Sequence, residues 1–194
     1  MINDLSCWGN QITSLDLTFT PNLKTLNCSG NLLSQLDLTK NKKLRFVSCN
    51  FNQIVRLALN NPELITLFCD GNQLQRLDLS QCSSLVQVDC VLNQLNTIHF
   101  AENNNIRYLR GGNNNFESID LSNCPRLNWV DLKENNLKTI NICNGNNYSI
   151  GTFFVIKNPD LKCIQVDDVA WSEENWLDID DTATFSEDCN NYNL

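Results

Sequence analysis

The sequence predicts a solenoid of stacked coils whose short parallel strands form one long sheet. Three observations lead to this fold class. An asparagine recurs at intervals of 20 or 21 residues, apolar residues precede it at fixed offsets, and a second apolar frame follows about ten residues later. The recurring asparagines are Asn10, Asn31, Asn52, Asn72, Asn93, Asn114 and Asn135. A repeat this short cannot bury a core alone, so neighbouring coils have to stack.

The first frame predicts a strand with one inward face. Around Asn31 it is Leu23-x-x-Leu26-x-Cys28-x-x-Asn31. Leu26 and Cys28 are two residues apart, so both point to the same side of an extended strand, and the residues between them point to the other side. The asparagine follows where the chain turns away. We expect its side chain to bond backbone groups that the turn leaves unpaired.

The second frame predicts extended or turn structure on the opposite long side of each coil. It is Leu33-x-x-Leu36-x-Leu38, and it recurs as Leu74-x-x-Leu77-x-Leu79. The two frames leave too few residues between them for full helices, which usually need eight or more. Each coil is therefore expected to be flat, with little helix.

This frame resembles the leucine-rich repeat, L-x-x-L-x-L-x-x-N-x-L, over about residues 2–142, and in particular the short nested 21-residue class of bacterial repeats. The resemblance implies a right-handed leucine-rich repeat solenoid. Its parallel β-sheet would lie on the concave side, extended or turn structure with little helix on the convex side, and a cap with one short helix at the C-terminus. The predicted boundaries are 1–143 for the coils, 144–166 for an insertion and the last coil, and 167–194 for an acidic cap.

Five of the ten cysteines occupy one repeat position: Cys7, Cys28, Cys49, Cys69 and Cys90. Gly111, Leu132 and Val166 are expected to continue this position. Leucine and valine there indicate an inward, apolar site, so we expect a row of buried thiols. Neighbouring coils are a poor match to disulfide geometry, and no zinc-type spacing is present, although a cross-coil disulfide remains an alternative. Cys82 and Cys124 are expected in the polar turn of the second frame.

The C-terminal segment departs from the repeat. Residues 143–157 are expected to form a longer loop before NPDL at 158–161, which we interpret as the counterpart of NPEL at 61–64. Ser172 is expected to cap a short helix that places Trp171 or Trp176 over the last coil. Cys163 and Cys189 flank this segment, and we expect them to form a disulfide that closes the cap.

The sequence of residues 144–189, from NGNN through NP-x-LKCIQVDD to FSEDC, resembles the C-terminal segment of many secreted leucine-rich repeat proteins of flavobacteria and related bacteria. It implies a secreted or cell-surface location. The chain itself shows no signal peptide and no apolar run long enough to span a membrane.

Composition argues against several functions. Residues 160–189 carry ten acidic residues and one lysine, a net charge of −9 against −8 for the whole chain, and this acidic cap argues against nucleic acid as a partner. His99 is the single histidine and has no evident nucleophile partner. We therefore expect no enzyme activity, no cofactor and no metal site.

The outward strand positions predict the ligand-binding surface, because exposed aromatic residues among polar neighbours are typical of interfaces. Two clusters stand out, one around Phe46 and Phe68 and one around Tyr108 and Trp129. The full set of predicted site residues is Phe46, Phe68, Asp70, Asp89, Tyr108, Arg110, Trp129 and Asp131.

These features favour a non-catalytic module that binds a protein through its concave face. Carbohydrate binding is an alternative, because aromatic side chains with Asp and Asn acceptors also suit sugar rings. A structural spacer within a longer surface protein is a third. The first coil shows no cap, so its open edge is a possible site of self-association.

Overall fold

A computed structural model describes residues 2–101 and 105–190. Within these ranges the chain forms sixteen strands of three residues, each beside its counterparts in neighbouring coils. In chain order they are β1 Asp4–Ser6, β2 Thr25–Asn27, β3 Gln35–Asp37, β4 Phe46–Ser48, β5 Arg56–Ala58, β6 Thr66–Phe68, β7 Arg76–Asp78, β8 Gln87–Asp89, β9 Thr97–His99, β10 Tyr108–Arg110, β11 Ser118–Asp120, β12 Trp129–Asp131, β13 Thr139–Asn141, β14 Thr152–Phe154, β15 Cys163–Gln165 and β16 Thr184–Ser186.

The first-frame strands form one parallel sheet of eight, in the order β1-β2-β4-β6-β8-β10-β12-β14, which we call the main sheet. The second-frame strands pair on the opposite side of the coils as β3-β5, β7-β9 and β11-β13-β15-β16. Register follows the repeat, with Leu26 opposite Val47 and Val47 opposite Leu67. The predicted solenoid with extended structure on both long sides is confirmed.

The core lies between the two sets of strands. Leu23, Leu26 and Leu33 are fully buried, and their counterparts stack along the axis in one continuous cluster. Strand centres point inward, while the flanking residues of β2, Thr25 and Asn27, are only partly buried. The period-two alternation read from the sequence therefore sets which face is covered.

The recurring asparagines join neighbouring coils. Nδ2 of Asn52 donates to the carbonyl of Cys49 in its own coil and to that of Cys28 in the preceding coil, each at 3.1 Å. Its Oδ1 accepts from the backbone N–H of Leu33, also at 3.1 Å. The turn groups of one coil are thus satisfied by a side chain of the next, as expected.

The predicted cysteine row is buried except at Cys7 of the first coil, which is partly exposed. Cys28, Cys49, Cys69 and Cys90 have no exposed surface and form no disulfide. Burial raises the pKa of the Cys28 thiol to about 12, and it also raises the pKa of Cys90. These thiols therefore act as small apolar side chains rather than as nucleophiles.

Cys82 and Cys124 lie in the turn of the second frame, as predicted, and their side chains are buried although the residues beside them are exposed and mostly polar. Cys82 occupies the position that Asn41 holds two coils earlier. The N–H of Cys82 donates to the carbonyl of Leu79, as the N–H of Asn41 donates to that of Leu38. The side chain at this turn position is therefore buried both where it is cysteine and where it is asparagine.

The last coil also differs from the prediction. Residues 143–157 do not form a loop leaving one edge. They contain a 3₁₀ turn at Asn147–Ser149 and then β14, which pairs with β12 in the main sheet. The position of the cysteine row continues as Val155, whose N–H bonds Asp178, whereas Val166 follows β15 on the second-frame side.

Asn158 accordingly belongs to the first frame. Its Nδ2 donates to the carbonyls of Leu132 and Val155, at 3.1 and 2.8 Å, in the manner of the other recurring asparagines. Asn61 instead bonds Leu38 and Asn41 in the second-frame turn. The NPDL and NPEL segments are therefore not counterparts.

The predicted cap helix is α1, Val169–Asn175. Its N-cap is Asp168, which accepts from the N–H of Trp171 at 3.0 Å; the prediction of Ser172 was wrong, since that residue lies inside the helix. Trp176 is buried and stacks on Phe153, with ring centroids 4.3 Å apart. Trp176 and Phe153 thereby cover the end of the core.

The predicted disulfide between Cys163 and Cys189 is confirmed, with Cα atoms 5.9 Å apart. It ties the end of the cap to β15. None of the described residues belongs to a helix long and apolar enough to cross a bilayer.

Candidate ligand-binding surface

The outward side chains of the main sheet form the candidate surface, which we call the main-sheet face. Phe46 of β4 and Phe68 of β6 meet edge to face, with ring centroids 5.6 Å apart and planes at 90°. Both are partly buried, because each ring covers part of the other. The predicted contact between these residues is present, and the packed pair of rings forms an apolar area on the main-sheet face.

The second predicted aromatic pair lies further along the same face. Tyr108 and Trp129 are directly opposite each other in the register of β10 and β12, and both are exposed. Trp129 also meets Phe154 of β14 edge to face, at 6.2 Å. Three aromatic residues on neighbouring strands of the main sheet therefore lie on the same face.

Ion pairs hold the charged side chains on the main-sheet face in place. Nη1 of Arg110 lies 3.0 Å from Oδ2 of Asp89, and the other oxygen of Asp89 accepts from Nε2 of Gln87 at 3.2 Å. The Asp89 side chain is almost fully covered, whereas that of Arg110 is half exposed. Asp89 thus holds Arg110 in place, and the guanidinium is the group available to a ligand.

Asp131 has a similar positioning role. Its side chain is almost fully covered, and it lies 3.4 Å from Nζ of Lys133. Its Oδ1 accepts from the backbone N–H of the same lysine at 3.3 Å. The predicted site residues Asp89 and Asp131 are therefore on the face, but both carboxylates are engaged within the protein.

Asp70 continues a polar ladder along one margin of the face. Asn50 accepts from the N–H of Asp70 at 2.7 Å, and Asp70 in turn accepts from the N–H of Val91 at 2.7 Å. Burial raises the pKa of Asp70, and the bond from Val91 lowers it only in part. The surroundings of Asp70 accordingly disfavour its charged form.

Phe154 and Gln87 are the residues of this surface that the sequence analysis missed. Phe154 lay in the segment expected to be a loop, although Ile150-x-x-Phe153-x-Val155-x-x-Asn158 fits the first frame. Gln87 occupies an outward strand position, but its residue type did not indicate that it would hydrogen-bond to Asp89. The frame could have revealed the first of these residues.

The side chains on the main-sheet face are of types that bind ligands. It combines ordered aromatic edges with one exposed guanidinium, which are the side chains that dominate interface energetics. His99 lies on the opposite side of the coil in β9 and is exposed. Over residues 2–101 and 105–190, no cluster of three or more His, Cys, Asp or Glu side chains is placed to hold a metal ion.

Comparison with solved structures identifies the architecture. The chain is similar to the leucine-rich effector protein YopM of Yersinia pestis (22% identity, TM-score 0.66, covering 86% of this chain and 56% of that one). It is also similar to the LRIM1/APL1C complex (18%, 0.59, 84% and 35%) and to an internalin, inlF, of Listeria monocytogenes (20%, 0.55, 88% and 51%). No protein-family model and no curated protein sequence matches the chain.

The protein therefore has the leucine-rich repeat solenoid fold. The chain spans from about a third to just over half of the length of these structures, which carry longer chains. Identities near 20% establish the fold class and leave the ligand to be argued from the surface itself.

Proposed function

We propose that this protein is a non-catalytic recognition module that binds a protein ligand through the main-sheet face. One observation carries the proposal. The exposed rings of Tyr108 and Trp129 lie on adjacent strands beside the half-exposed guanidinium of Arg110. Aromatic and arginine side chains are enriched among the residues that carry most binding energy.

The surroundings of these residues favour binding without large rearrangement. Asp89 holds Arg110, and Phe154 supports the ring of Trp129. Side chains fixed before the ligand arrives lose little conformational freedom on binding. Solvent-facing sheets of solenoids are also a common binding surface, since they present a broad array of adjacent side chains.

Carbohydrate binding is the second candidate function. The specific observation in its favour is the run of three aromatic residues, Tyr108, Trp129 and Phe154, on consecutive strands. Such rings stack against apolar faces of sugars, and nearby Gln87 supplies amide donors and acceptors. The spacer role predicts instead that neither class of ligand binds.

We also propose a secreted or cell-surface location. The support is the disulfide between Cys163 and Cys189, since disulfides form and persist mainly in oxidising compartments. Bacterial origin of the flavobacterial type rests on the sequence resemblance of about residues 144–189.

A parallel screen of a protein array and a glycan array tests the proposed function. The probes are the wild type, Tyr108→Ala, Trp129→Ala and, as a matched control, Phe19→Ala. Phe19 is a 90% exposed aromatic residue on the other side of the coil, so its loss removes similar surface outside the proposed site. We expect protein hits that Tyr108→Ala and Trp129→Ala weaken at least tenfold and that Phe19→Ala leaves unchanged.

Two results would contradict the proposal. Hits on glycans alone, with the same dependence on Trp129, would make carbohydrate binding the function. Protein hits that respond equally to all three substitutions would mean that the main-sheet face is not the site.

A further inference from the structure

The accessible charge beside the aromatic residues of the main-sheet face is positive, although the whole chain carries a net charge of −8. In the two ion pairs of this area the cations are exposed and the carboxylates are covered. The side chains of Arg110 and Lys133 are 48% and 41% exposed, whereas those of Asp89 and Asp131 are 7% and 6% exposed. A ligand that approaches this area therefore meets N–H donors before it meets a carboxylate.

Neighbouring strands supply the donors that occupy these two carboxylates. Arg110 lies between Asp89 of β8 and Asp131 of β12 in the register of the main sheet. Asp89 accepts from Gln87 as well as from Arg110, and Asp131 accepts from the backbone N–H of Lys133. Both carboxylates are thus bonded within the protein, so the groups that this area offers to a ligand are donors.

Gly112 makes room for the second cation. A Cβ atom at Gly112 would lie 3.2 Å from the backbone oxygen of Lys133, 3.3 Å from its Cγ atom and 3.4 Å from Oδ1 of Asp131. Gly112 does not have a left-handed backbone, so this glycine provides space rather than an unusual conformation. The stem of Lys133 lies against it, two residues beyond Arg110 in the preceding coil. The two cations therefore occupy the same area of the main-sheet face.

The aromatic pair lies next to the cations at a spacing that suits a peptide. Tyr108 and Arg110 are two residues apart in β10, so their side chains leave the same side of the sheet about 6.6 Å apart. Side chains i and i+2 of an extended peptide have the same separation. One peptide segment can therefore place a carboxylate against Arg110 and an apolar side chain against the rings of Tyr108 and Trp129.

We propose that the main-sheet face recognises an Asp or Glu side chain of its protein ligand, with the carboxylate bound by Arg110 and Lys133 and a nearby apolar side chain packed on the rings. This recognition rests on the proposed function, since it requires a protein ligand on that face. Arginine carries five N–H donors in a planar fork that matches a carboxylate. Asp89 engages Nη1, and the half-exposed guanidinium keeps further donors for a ligand.

Acidic residues further along the face limit where such a segment can bind. The N–H of Val155 bonds the carbonyl of Asp178, so the exposed Asp178 continues the outward column beyond Phe154. On the other side, the partly buried Asp70 lies two coils before Arg110. Like charges repel, so a ligand carboxylate is attracted only at the coils of β10 and β12. Recognition then depends on bonds at these coils and not on the net charge of the protein.

A paired peptide array tests the proposal with the full chain. Each ten-residue peptide carries a central Glu among varied apolar and polar residues, and its twin carries Gln at that position. We expect the wild type to bind acidic peptides at least tenfold more tightly than their twins, because a carboxylate forms charge-assisted bonds with both cations. Tyr108→Ala should weaken binding to both twins alike, which separates the role of the ring from that of the cations.

The double variant Asp89→Asn/Arg110→Gln removes the cation together with its covered partner. No buried carboxylate is left unpaired and the net charge stays at −8, so the variant should unfold at the temperature of the wild type. It should lose most of the preference for the acidic twin. Lys138→Gln is the matched control, because Lys138 is 49% exposed and pairs with Glu117 away from the main-sheet face. Its preference should equal that of the wild type, although the protein becomes more negative.

Three results would overturn this recognition. Peptides that bind equally as Glu and Gln twins would remove the acidic side chain and leave the proposed protein binding in place. An array on which no acidic peptide binds would also overturn it, whether or not whole proteins bind. Binding of polygalacturonate in place of peptides, with the same loss in the double variant, would assign the two cations to an acidic sugar.

Discussion

Replacement of Asn72 by alanine tests whether the asparagine ladder holds neighbouring coils together. Asn72 lies in the middle of the stack and is buried. Its Nδ2 donates to the carbonyls of Cys49 and Cys69, each at 3.1 Å, and of Asp70 at 3.2 Å. Its Oδ1 accepts from the N–H of Ile54 at 3.0 Å. Alanine removes all four hydrogen bonds and puts no polar group in their place.

The magnitude follows from which groups keep another partner. The carbonyl of Cys49 still accepts from Asn52, and that of Cys69 still accepts from Asn93. The N–H of Ile54 loses its bond to Asn72 in a buried turn. An orphaned buried donor costs about 1–3 kcal/mol, and weakened carbonyl bonds add about 0.5–1 kcal/mol. We expect the free energy of unfolding to fall by about 3 kcal/mol.

Urea unfolding followed by far-ultraviolet circular dichroism measures this change. Asn10→Ala is the control, because Asn10 holds the same repeat position but is exposed and bonds only Cys7 and Trp8 in its own coil. Its replacement should cost less than about 1 kcal/mol, since water can take over these bonds. Equal losses in the two variants would refute the idea that bonds between coils, rather than within the turn, stabilise the stack.

Three further outcomes are expected. Asp70→Asn should raise the melting temperature at pH 7, because burial raises the pKa of Asp70 and so disfavours its charged form in the folded state. The gain should vanish below about pH 3.9, where the carboxyl group is neutral in the unfolded chain as well. A gain that is the same at every pH would contradict this. Asn50 already makes the equivalent bond. Titration of the native protein with a disulfide reagent should modify the exposed Cys143 while Cys28, Cys49, Cys69 and Cys90 react only in denaturant; early reaction of the buried row would show that the coils open readily. Cys163→Ala/Cys189→Ala should weaken the cap by about 3–4 kcal/mol, seen as faster hydrogen exchange in residues 167–190 with the early coils unchanged, and uniform loss of protection would refute a local role.

Most of the fold could be predicted because its signal repeats. The inward positions of Leu26 and Cys28 and the bridging role of Asn52 follow from spacing alone, since each coil imposes the same constraints on the next. The last coil was missed for the same reason. Asn158 comes 23 residues after Asn135, and Phe153 stands where leucine was expected, so the period and the residue type failed together.

Other features depend on neighbours that no single segment specifies. Asp168 and Ser172 are both residue types that cap helices, and the helix begins at the first because the chain arrives there from β15. Whether Asp89 is available to a ligand depends on Arg110 and Gln87 in the register of two strands. The left-handed backbone of Phe51 and Leu92 opposes their residue type, so sequence propensity would not place them there.

The buried cysteine row has a consequence for how the protein matures. If the chain folds in an oxidising compartment, ten thiols compete for pairing while it is still extended, and only the link between Cys163 and Cys189 is native. Stacking has to hide the row before an oxidant reaches it. The order of events is then set by the architecture, with rapid closure of the early coils and covalent locking of the far end last.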